Sequence, residues 1–350
     1  MSLKKSQPLY RVGLVGATGL VGNSFLNVLK DEKFSISELK LFASKKNAGK
    51  KILWNKKYYP IYQLSKKNLE NLDFVFFSAG SKISKAWAPV AKKNGAWVID
   101  NSSAFRKKNS VPLIVPEVNF HQLNLNKKNI IANPNCSTIQ LVAAIHHLKK
   151  QVGIKSLQVA TYQSISGAGK KYLLQLITES YAITKNLLQH KAHLKLSDIC
   201  FPKKTALAFN LLPSIGKVNA QNFSEEEEKI INESRRILQS PRLNISAFAI
   251  RVPTLNTHGE AVWIELNKKI TKAQLLKMLS KDKNISIVKK NIPLTHLAHQ
   301  KPNIFISRIR RNPNNPHSWL LWITSDNTLK GAALNAVQIA KKISEVRRAK

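Results

Sequence analysis

Over the first 135 positions, apolar residues fall into short blocks separated by segments of helical length. Tyr10–Val15 is followed by the glycine turn Gly16–Gly22. Next comes a stretch in which Phe25, Leu26, Val28 and Leu29 supply one buried side, and the three together predict a strand, a turn and a helix. Further short blocks stand at Leu39–Ala43, Phe74–Phe77, Trp97–Ile99 and Ile130–Ala132, each bounded by polar residues or glycine. Alternation of strand and helix at this spacing predicts a parallel, doubly wound sheet of the α/β class.

After about position 135 the texture changes. Ile245–Val252, Ala261–Leu266, Ile304–Ile309 and Trp319–Ile323 read as strands that follow one another with fewer helices between them, which predicts an α+β unit with a mixed or antiparallel sheet. The cluster Arg308–Pro316 reads as a long hairpin connection. Leu329–Val346 is helical in pattern, with Ala332, Ala333, Leu334, Val337, Ile339 and Ala340 on one side. The expected organisation is a dinucleotide-binding domain over 1–135, a second domain over 136–328, and a terminal helix over 329–350 packing back on the first.

Composition changes this picture little. The chain has 350 residues, 43% of them apolar, enough for two cores. Its 57 Lys and Arg against 19 Asp and Glu give a net charge of +38, which raises nucleic-acid binding as a function. That function needs a basic stripe, whereas the lysines come as scattered pairs, Lys92-Lys93, Lys149-Lys150 and Lys289-Lys290 among them, seldom interleaved with aromatics. They read as a solvated surface that draws in anionic substrates rather than as a nucleic-acid site. Two cysteines, Cys136 and Cys200, make neither a disulfide framework nor the paired spacing of a structural zinc site, so no metal is expected. With no secretory leader pattern and no run of about 18 apolar residues, the expectation is a cytoplasmic protein without a membrane span.

The turn Gly16-Ala17-Thr18-Gly19-Leu20-Val21-Gly22 sits directly after a strand and opens a helix, so its amides and the helix dipole can face a pyrophosphate. The bland alternative is a tight turn that uses glycine for positive φ. An NAD site normally places a carboxylate at the end of the second strand. Here that position reads Ala43-Ser44-Lys45-Lys46-Asn47, offering hydroxyl, ammonium and amide donors to a 2′-phosphate, which favours NADP unless this is only a basic surface loop.

Cys136 lies in Asn133-Pro134-Asn135-Cys136-Ser137-Thr138, immediately ahead of a helical run through Leu141, Val142, Ile145 and Leu148. Unsatisfied amides and the dipole at a helix start stabilise a thiolate and lower a thiol pKa from about 8.5, as a reactive cysteine requires. Cys200 lacks such a setting and is read as an inert cysteine.

Together, the Gly16–Gly19 turn and Asn133–Thr138 resemble the aspartate-semialdehyde dehydrogenase family. Further motifs agree in order: Ser78-Ala79-Gly80, Asn101-Ser102-Ser103 with Arg106, Val115–Asn119, Gln163 ahead of Ser166–Gly169, Arg251-Val252-Pro253 with His258, and Asp326-Asn327 with Lys330–Ala333. The resemblance covers essentially the whole chain. It implies Cys136 as nucleophile, His258 as general acid/base with an ordinary imidazole pKa near ~6.5, and Gln163 as the amide orienting the substrate. For the substrate it implies Arg251 on the carboxylate, Arg106 and Lys229 on the phosphate, Glu226 on the amine, and Asn135 beside the nucleophile. Ser78, Gly80, Ser166, Gly167 and Asn327 join Gly16–Gly22, Ser44, Lys46 and Asn47 as cofactor-binding residues. The reaction implied is NADPH-dependent reduction of 4-aspartyl phosphate to aspartate semialdehyde and phosphate by a homodimer, whose second domain is catalytic and dimerising.

Some features keep alternatives open. Glu225–Glu228 reads equally as an acidic first helical turn after a Ser224 cap. Lys46 and Asn47 stand where the family commonly has arginine and serine or threonine. The acetylglutamyl-phosphate reductases share the thioester logic but normally carry glycine before the cysteine, where this chain has Asn135; an acyl-CoA reductase is the other enzyme alternative. A basic nucleic-acid-binding protein on a dead dehydrogenase scaffold would have lost Cys136, His258 or Gln163, and all three are present.

Overall fold

The computed structural model describes residues 8–189, 195, 197, 199, 201, 206–288 and 295–349, so Cys200 lies outside the described residues. The chain divides into two compact units, one made of residues 1–146, 233–241 and 328–350, the other of 147–232 and 242–327.

In the first unit, β1 (Tyr10–Val15) pairs in parallel with β2 (Ile36–Ala43) on one side and with β5 (Phe74–Phe77) on the other. β6 (Trp97–Asp100) and β7 (Ile130–Ala132) extend the parallel sheet to the order β3-β4-β2-β1-β5-β6-β7. The order reverses between β1 and β5, and at that switch point the carboxyl ends of the strands leave a crevice. β5 and β6 are buried along their whole length, as strands covered on both faces must be.

The edge hairpin β3 (Lys51–Trp54) and β4 (Lys57–Gln63) had no clear signal in the apolar pattern, because its residues alternate polar and aromatic on an exposed edge. Its two-residue turn, Asn55-Lys56, holds both residues at positive φ (47° and 64°), the geometry that matches strand twist. Helices α1 (Leu20–Asp31), α2 (Ser81–Lys93) and the short α3 (Pro116–Asn119) follow their strands. The last segment begins as a single π-helical stretch, Leu329–Ala333, and continues as α8 (Leu334–Ala349); Leu334, Val337 and Ile343 join Phe25, Leu29 and Phe76 in this unit's core.

The second unit is built on a mixed sheet ordered β11-β12-β13-β10-β8-β9. Its strands are β8 (Ile154–Gln163), β9 (Asn244–Arg251), β10 (His258–Leu266), β11 (Ile285–Ile287), β12 (Ile304–Asn312) and β13 (Asn315–Ser325). β8 pairs in parallel with β9 and antiparallel with β10. The expected long connection at Arg308–Pro316 is not there: β12 and β13 run through it and meet in a two-residue turn. Its arginines are outward strand positions, Arg311 lying 4.9 Å over the Trp319 ring and donating to the Ile270 carbonyl at 2.6 Å, so their polarity mimicked a loop. A register shift between Ser307 and Arg310, with Arg308 at φ 50°, bends the strand there. Helices α5 (Lys170–Gln189) and α7 (Lys272–Leu279) also belong to this unit. α4 (Cys136–Val152) and α6 (Glu225–Ile237) each have residues in both units.

Among the described residues no helix is long and apolar enough to cross a membrane, and no group of three or more His, Cys, Asp or Glu is placed to hold a metal ion.

Candidate active site

The first unit carries the thiol. Cys136 is the first residue of α4 and is half-buried. Asn135 supplies the cap: its Oδ1 accepts from the amides of Ser137 (3.0 Å) and Thr138 (3.2 Å), satisfying two donors that the helix leaves open. The positive end of the helix thus lies at the sulfur, where it favours an anion. Gly331 approaches from the terminal segment, and a Cβ there would lie 2.8 Å from the Cys136 Cβ, so only glycine leaves the thiol's backbone room. Asn133 is fixed from three sides, donating to Asn101 Oδ1 (2.6 Å) and the Ala332 carbonyl (3.1 Å) and accepting from Asn335 (2.7 Å).

Two carboxylates that the sequence reading passed over organise this half. Glu233 is buried; its Oε2 accepts the Asn135 amide at 2.7 Å and its Oε1 lies 3.6 Å from Arg106 Nη1. Arg106 also donates to the Asn101 carbonyl at 2.8 Å. Asp100, at the end of β6, accepts from Ser84 Oγ (2.6 Å), Ser102 Oγ (2.8 Å) and the Ser102 amide (3.1 Å), pinning the turn that presents Arg106. Burial holds its carboxyl above the ordinary value, against the opposing pull of those serine hydrogen bonds. The buried Lys330 forms an ion pair with the half-buried Glu117 and also donates to Gln338 at 2.9 Å.

At the switch point the cofactor residues of this unit come together. Gly16 has φ +93°, and a Cβ on it would meet the Ser78 carbonyl oxygen at 2.5 Å; one on Gly22 would meet the Gly16 carbonyl oxygen at 2.1 Å. The turn is therefore closed by glycines that no other residue can replace, and α1 starts at Leu20 with Gly19 as its cap, directing the amides of Leu20, Val21 and Gly22 outward. Ser44 and Lys46 are exposed on the loop after β2, and Asn47 Nδ2 reaches Thr18 Oγ1 at 3.5 Å, tying that loop to the glycine turn. Gly80 caps α2 at φ +86°. A dinucleotide fits this set: a backbone cradle for the pyrophosphate and hydroxyl, amide and ammonium donors for a 2′-phosphate, with no carboxylate at the end of β2.

The second unit carries the remaining residues on one row of its sheet. Arg251 pairs with Gln163, and Gln163 with His258, across β9, β8 and β10. In-register neighbours project to the same side, so residues separated by up to 95 positions lie together. Gln163 is buried and donates to Thr161 Oγ1 at 3.3 Å. Arg251 Nη1 donates to the Ser164 carbonyl at 2.8 Å. His258 is wholly buried, and its imidazole is pushed down to about 3, by burial first and the Arg251 charge second. The ordinary value expected from sequence therefore does not hold: this ring is neutral at physiological pH.

Ser166 and Asn327 join a polar network beneath it. Asn327 Nδ2 donates to Ser166 Oγ at 3.0 Å, while Asn327 Oδ1 accepts the Thr257 amide at 2.9 Å. Gly167 lies against Arg251 and His258, where a Cβ would approach to 3.1 and 3.3 Å. The glutamates in the first turn of α6 divide between both readings of that segment. Glu227 and Ser224 form the reciprocal helix cap, and Glu227 also accepts the Ala249 amide at 3.0 Å. Glu226 instead accepts from Lys229 at 3.0 Å, one turn along, so these two expected substrate ligands are paired with each other.

A doubly wound dinucleotide fold with a thiol at a helix start, followed by a mixed-sheet unit bearing an arginine, a glutamine and a histidine on one row, is the layout of a cysteine-bearing dehydrogenase. Residues 11–126 match the family model described as the semialdehyde dehydrogenase NAD-binding domain, and residues 145–330 the model described as its dimerisation domain. The chain is 38% identical to aspartate-semialdehyde dehydrogenase of Aquifex aeolicus, over 95% of this chain and 97% of that one. To the enzyme of Bacillus subtilis it is 37% identical, over 96% and 97%. Its structure is similar to aspartate semialdehyde dehydrogenase II of Vibrio cholerae, solved in complex with ASA, with a TM-score of 0.87 at 34% identity over 97% of this chain and 99% of that one. The chain belongs to the aspartate-semialdehyde dehydrogenase family, oxidoreductases of amino-acid biosynthesis.

Proposed function

We propose that the chain catalyses the NADPH-dependent reductive dephosphorylation of 4-aspartyl phosphate to aspartate 4-semialdehyde, in the biosynthesis of lysine and diaminopimelate, threonine and methionine. The observation that carries this reading is Cys136 at the capped start of α4 in a chain of this family. The Cys136 thiolate attacks the acyl carbon, the bond from that carbon to the phosphate oxygen breaks, and phosphate departs with the electron pair, leaving a thioester. NADPH, when bound, supplies hydride to that carbon. The tetrahedral oxyanion then collapses, the carbon–sulfur bond breaks, and the thiolate is regenerated as the aldehyde leaves.

Arg251 holds the substrate carboxylate, which its planar fork fits; Arg106 and Lys229 receive the phosphate, and Glu226 the amine. Gln163 orients the acyl group, and His258 acts on the substrate oxygen. Gly16–Gly22, Ser44, Lys46, Asn47, Ser78, Gly80, Ser166, Gly167 and Asn327 bind NADP. The enzyme works as a cytoplasmic homodimer without nucleic-acid or membrane partners. The match to a dimerisation domain supports the dimer, as do the apolar side chains that the second unit leaves exposed, among them Phe248, Trp263, Ile177 and Tyr181.

Phosphate-dependent reduction of NADP by aspartate semialdehyde tests the reading. We expect turnover that falls sharply with N-acetylglutamate semialdehyde or with NAD. Preference for the acetylated substrate, or for coenzyme A over phosphate as acyl acceptor, would contradict it.

A further inference from the structure

The segment Glu233–Pro241, which includes the last turn of α6, packs in the first unit. Two of its side chains one turn apart, Glu233 and Arg236, close on the stretch that carries Arg106. Arg236 holds the backbone there: its Nη1 donates to the Arg106 carbonyl at 2.7 Å, and its Nη2 to the carbonyls of Asn109 and Val111. Glu233 faces the Arg106 side chain, its Oε1 lying 3.6 Å from Nη1, with both side chains largely buried. Its other oxygen, Oε2, accepts the amide of Asn135, the residue bonded to Cys136, at 2.7 Å. Arg106 Nη2 donates to the Asn101 carbonyl at 2.8 Å, while its Nε is buried without a hydrogen-bond partner among the described residues.

We propose that Glu233 and Arg236 are positioning residues that fix the Arg106 guanidinium relative to the start of α4, so that the anion exchanged at the acyl carbon meets its cation at a set place beside the thiol. The identity of that anion as phosphate rests on the function proposed above; the bracket itself does not. The sign of Glu233 favours positioning over activation. A buried carboxylate next to the start of α4 works against a thiolate there, whereas a residue that activates the thiol would be cationic. Arg106 offsets that charge, and the two carboxylate oxygens join the Asn135 amide and the guanidinium through one planar group. Arg236 adds no charge contact to Arg106. It fixes the main chain from which the guanidinium extends, so side chain and backbone are held from the same helical turn.

Two half-reactions separate the roles. Without phosphate, the thiolate adds to the aldehyde, hydride passes to NADP, and a single burst of NADPH accompanies the thioester. A phosphate oxygen then attacks the acyl carbon and the thiolate leaves; only this second step uses the anion site. Glu233→Gln keeps an oxygen for the Asn135 amide and turns an uncharged NH2 toward Arg106. It should lower the efficiency of the phosphate step at least about tenfold more than it lowers the burst rate, chiefly through the KM for phosphate. Glu233→Ala also frees the Asn135 amide and should slow the burst itself by at least about tenfold. Arg236→Lys, at a half-buried position where one ammonium cannot span three carbonyls, should repeat the selective loss of the phosphate step. Equal loss in both half-reactions in the Gln and Lys variants, or a wild-type KM for phosphate in both, would overturn the proposal.

An arm free of catalysis reads the bracket directly. Hydrogen exchange at the Asn135 amide in the intact protein, resolved by fragmentation mass spectrometry, should be at least about tenfold faster in Glu233→Ala than in the wild type or Glu233→Gln. Equal exchange in the three proteins would refute the grip on Asn135. Absence of any wild-type turnover of aspartate semialdehyde would sink the proposed function, and the exchange rates would then decide the bracket alone.

Discussion

Burial of His258 as a neutral ring makes a quantitative prediction about acid stability. The folded ring titrates at about 3, and the unfolded chain exposes an imidazole with an ordinary value near ~6.5. The folded value lies below the unfolded one, so the contribution is complete above ~6.5 and is lost as pH falls toward 3, because the unfolded chain binds a proton that the fold refuses. The slope is about 1.4 kcal/mol per pH unit, and from pH 7.5 to pH 5 the loss sums to about 2 kcal/mol; any folded value below about 4 gives the same figure. Carboxylates also titrate in this range, so the comparison is between wild type and His258→Gln, in which they are unchanged. Urea unfolding followed by tryptophan fluorescence at pH 7.5, 6 and 5 supplies the assay. The wild type should lose about 2 kcal/mol relative to the variant between the first and last pH. A difference between the two proteins that stays constant with pH would refute the buried neutral ring.

Other perturbations separate binding from chemistry. Gly16→Ala drives a Cβ to 2.5 Å from the Ser78 carbonyl at a φ of +93°, and should abolish NADP binding while costing several (about 2–4) kcal/mol in a thermal or urea melt; normal cofactor titration would remove the turn from the site. Asn135→Ala deletes the two cap bonds at Ser137 and Thr138, and should cost about 1 kcal/mol of stability and lower kcat with unchanged NADPH affinity measured by fluorescence. Arg251→Lys loses the fork that donates to the Ser164 carbonyl and meets a carboxylate, and should weaken kcat/KM for the aldehyde by about 1–3 kcal/mol, or about 5–150-fold; wild-type kinetics would exclude Arg251 from substrate binding.

The parallel sheet was legible because several of its strands carry a short uninterrupted apolar block bounded by punctuation, as at Phe74–Phe77 and Trp97–Ile99. The hairpin at Lys51–Gln63 and the second half of β12 were not, since an exposed strand with lysine, tyrosine or arginine outward has the composition of a loop. β8 was missed as well, for its polar positions Lys155, Ser156 and Gln158 break the apolar run. For the site, the glycine turn and the helix-start cysteine are local signals and can be read from short windows. The row Arg251–Gln163–His258 is a matter of register between strands far apart in the chain, which only the family resemblance could connect. Glu233 and Asp100 were passed over because their importance lies in what they accept, the Asn135 amide and the Ser102 turn, and a lone acid in a sequence carries no mark of its partner. The neutral state of His258 was invisible for the same reason: burial and the Ser164 amide are properties of the fold.

The central claim is the covalent step on Cys136, and mass spectrometry of the acid-quenched enzyme tests it most directly. Wild-type protein mixed with NADP and aspartate semialdehyde in the absence of phosphate should accumulate an aspartyl thioester on a peptide containing Cys136, released when phosphate is added. Cys136→Ser should show no adduct and less than about a tenth of wild-type turnover, a barrier increase above ~1.4 kcal/mol, while still binding NADPH. An adduct on Cys200, or turnover in Cys136→Ser close to that of the wild type, would contradict the account.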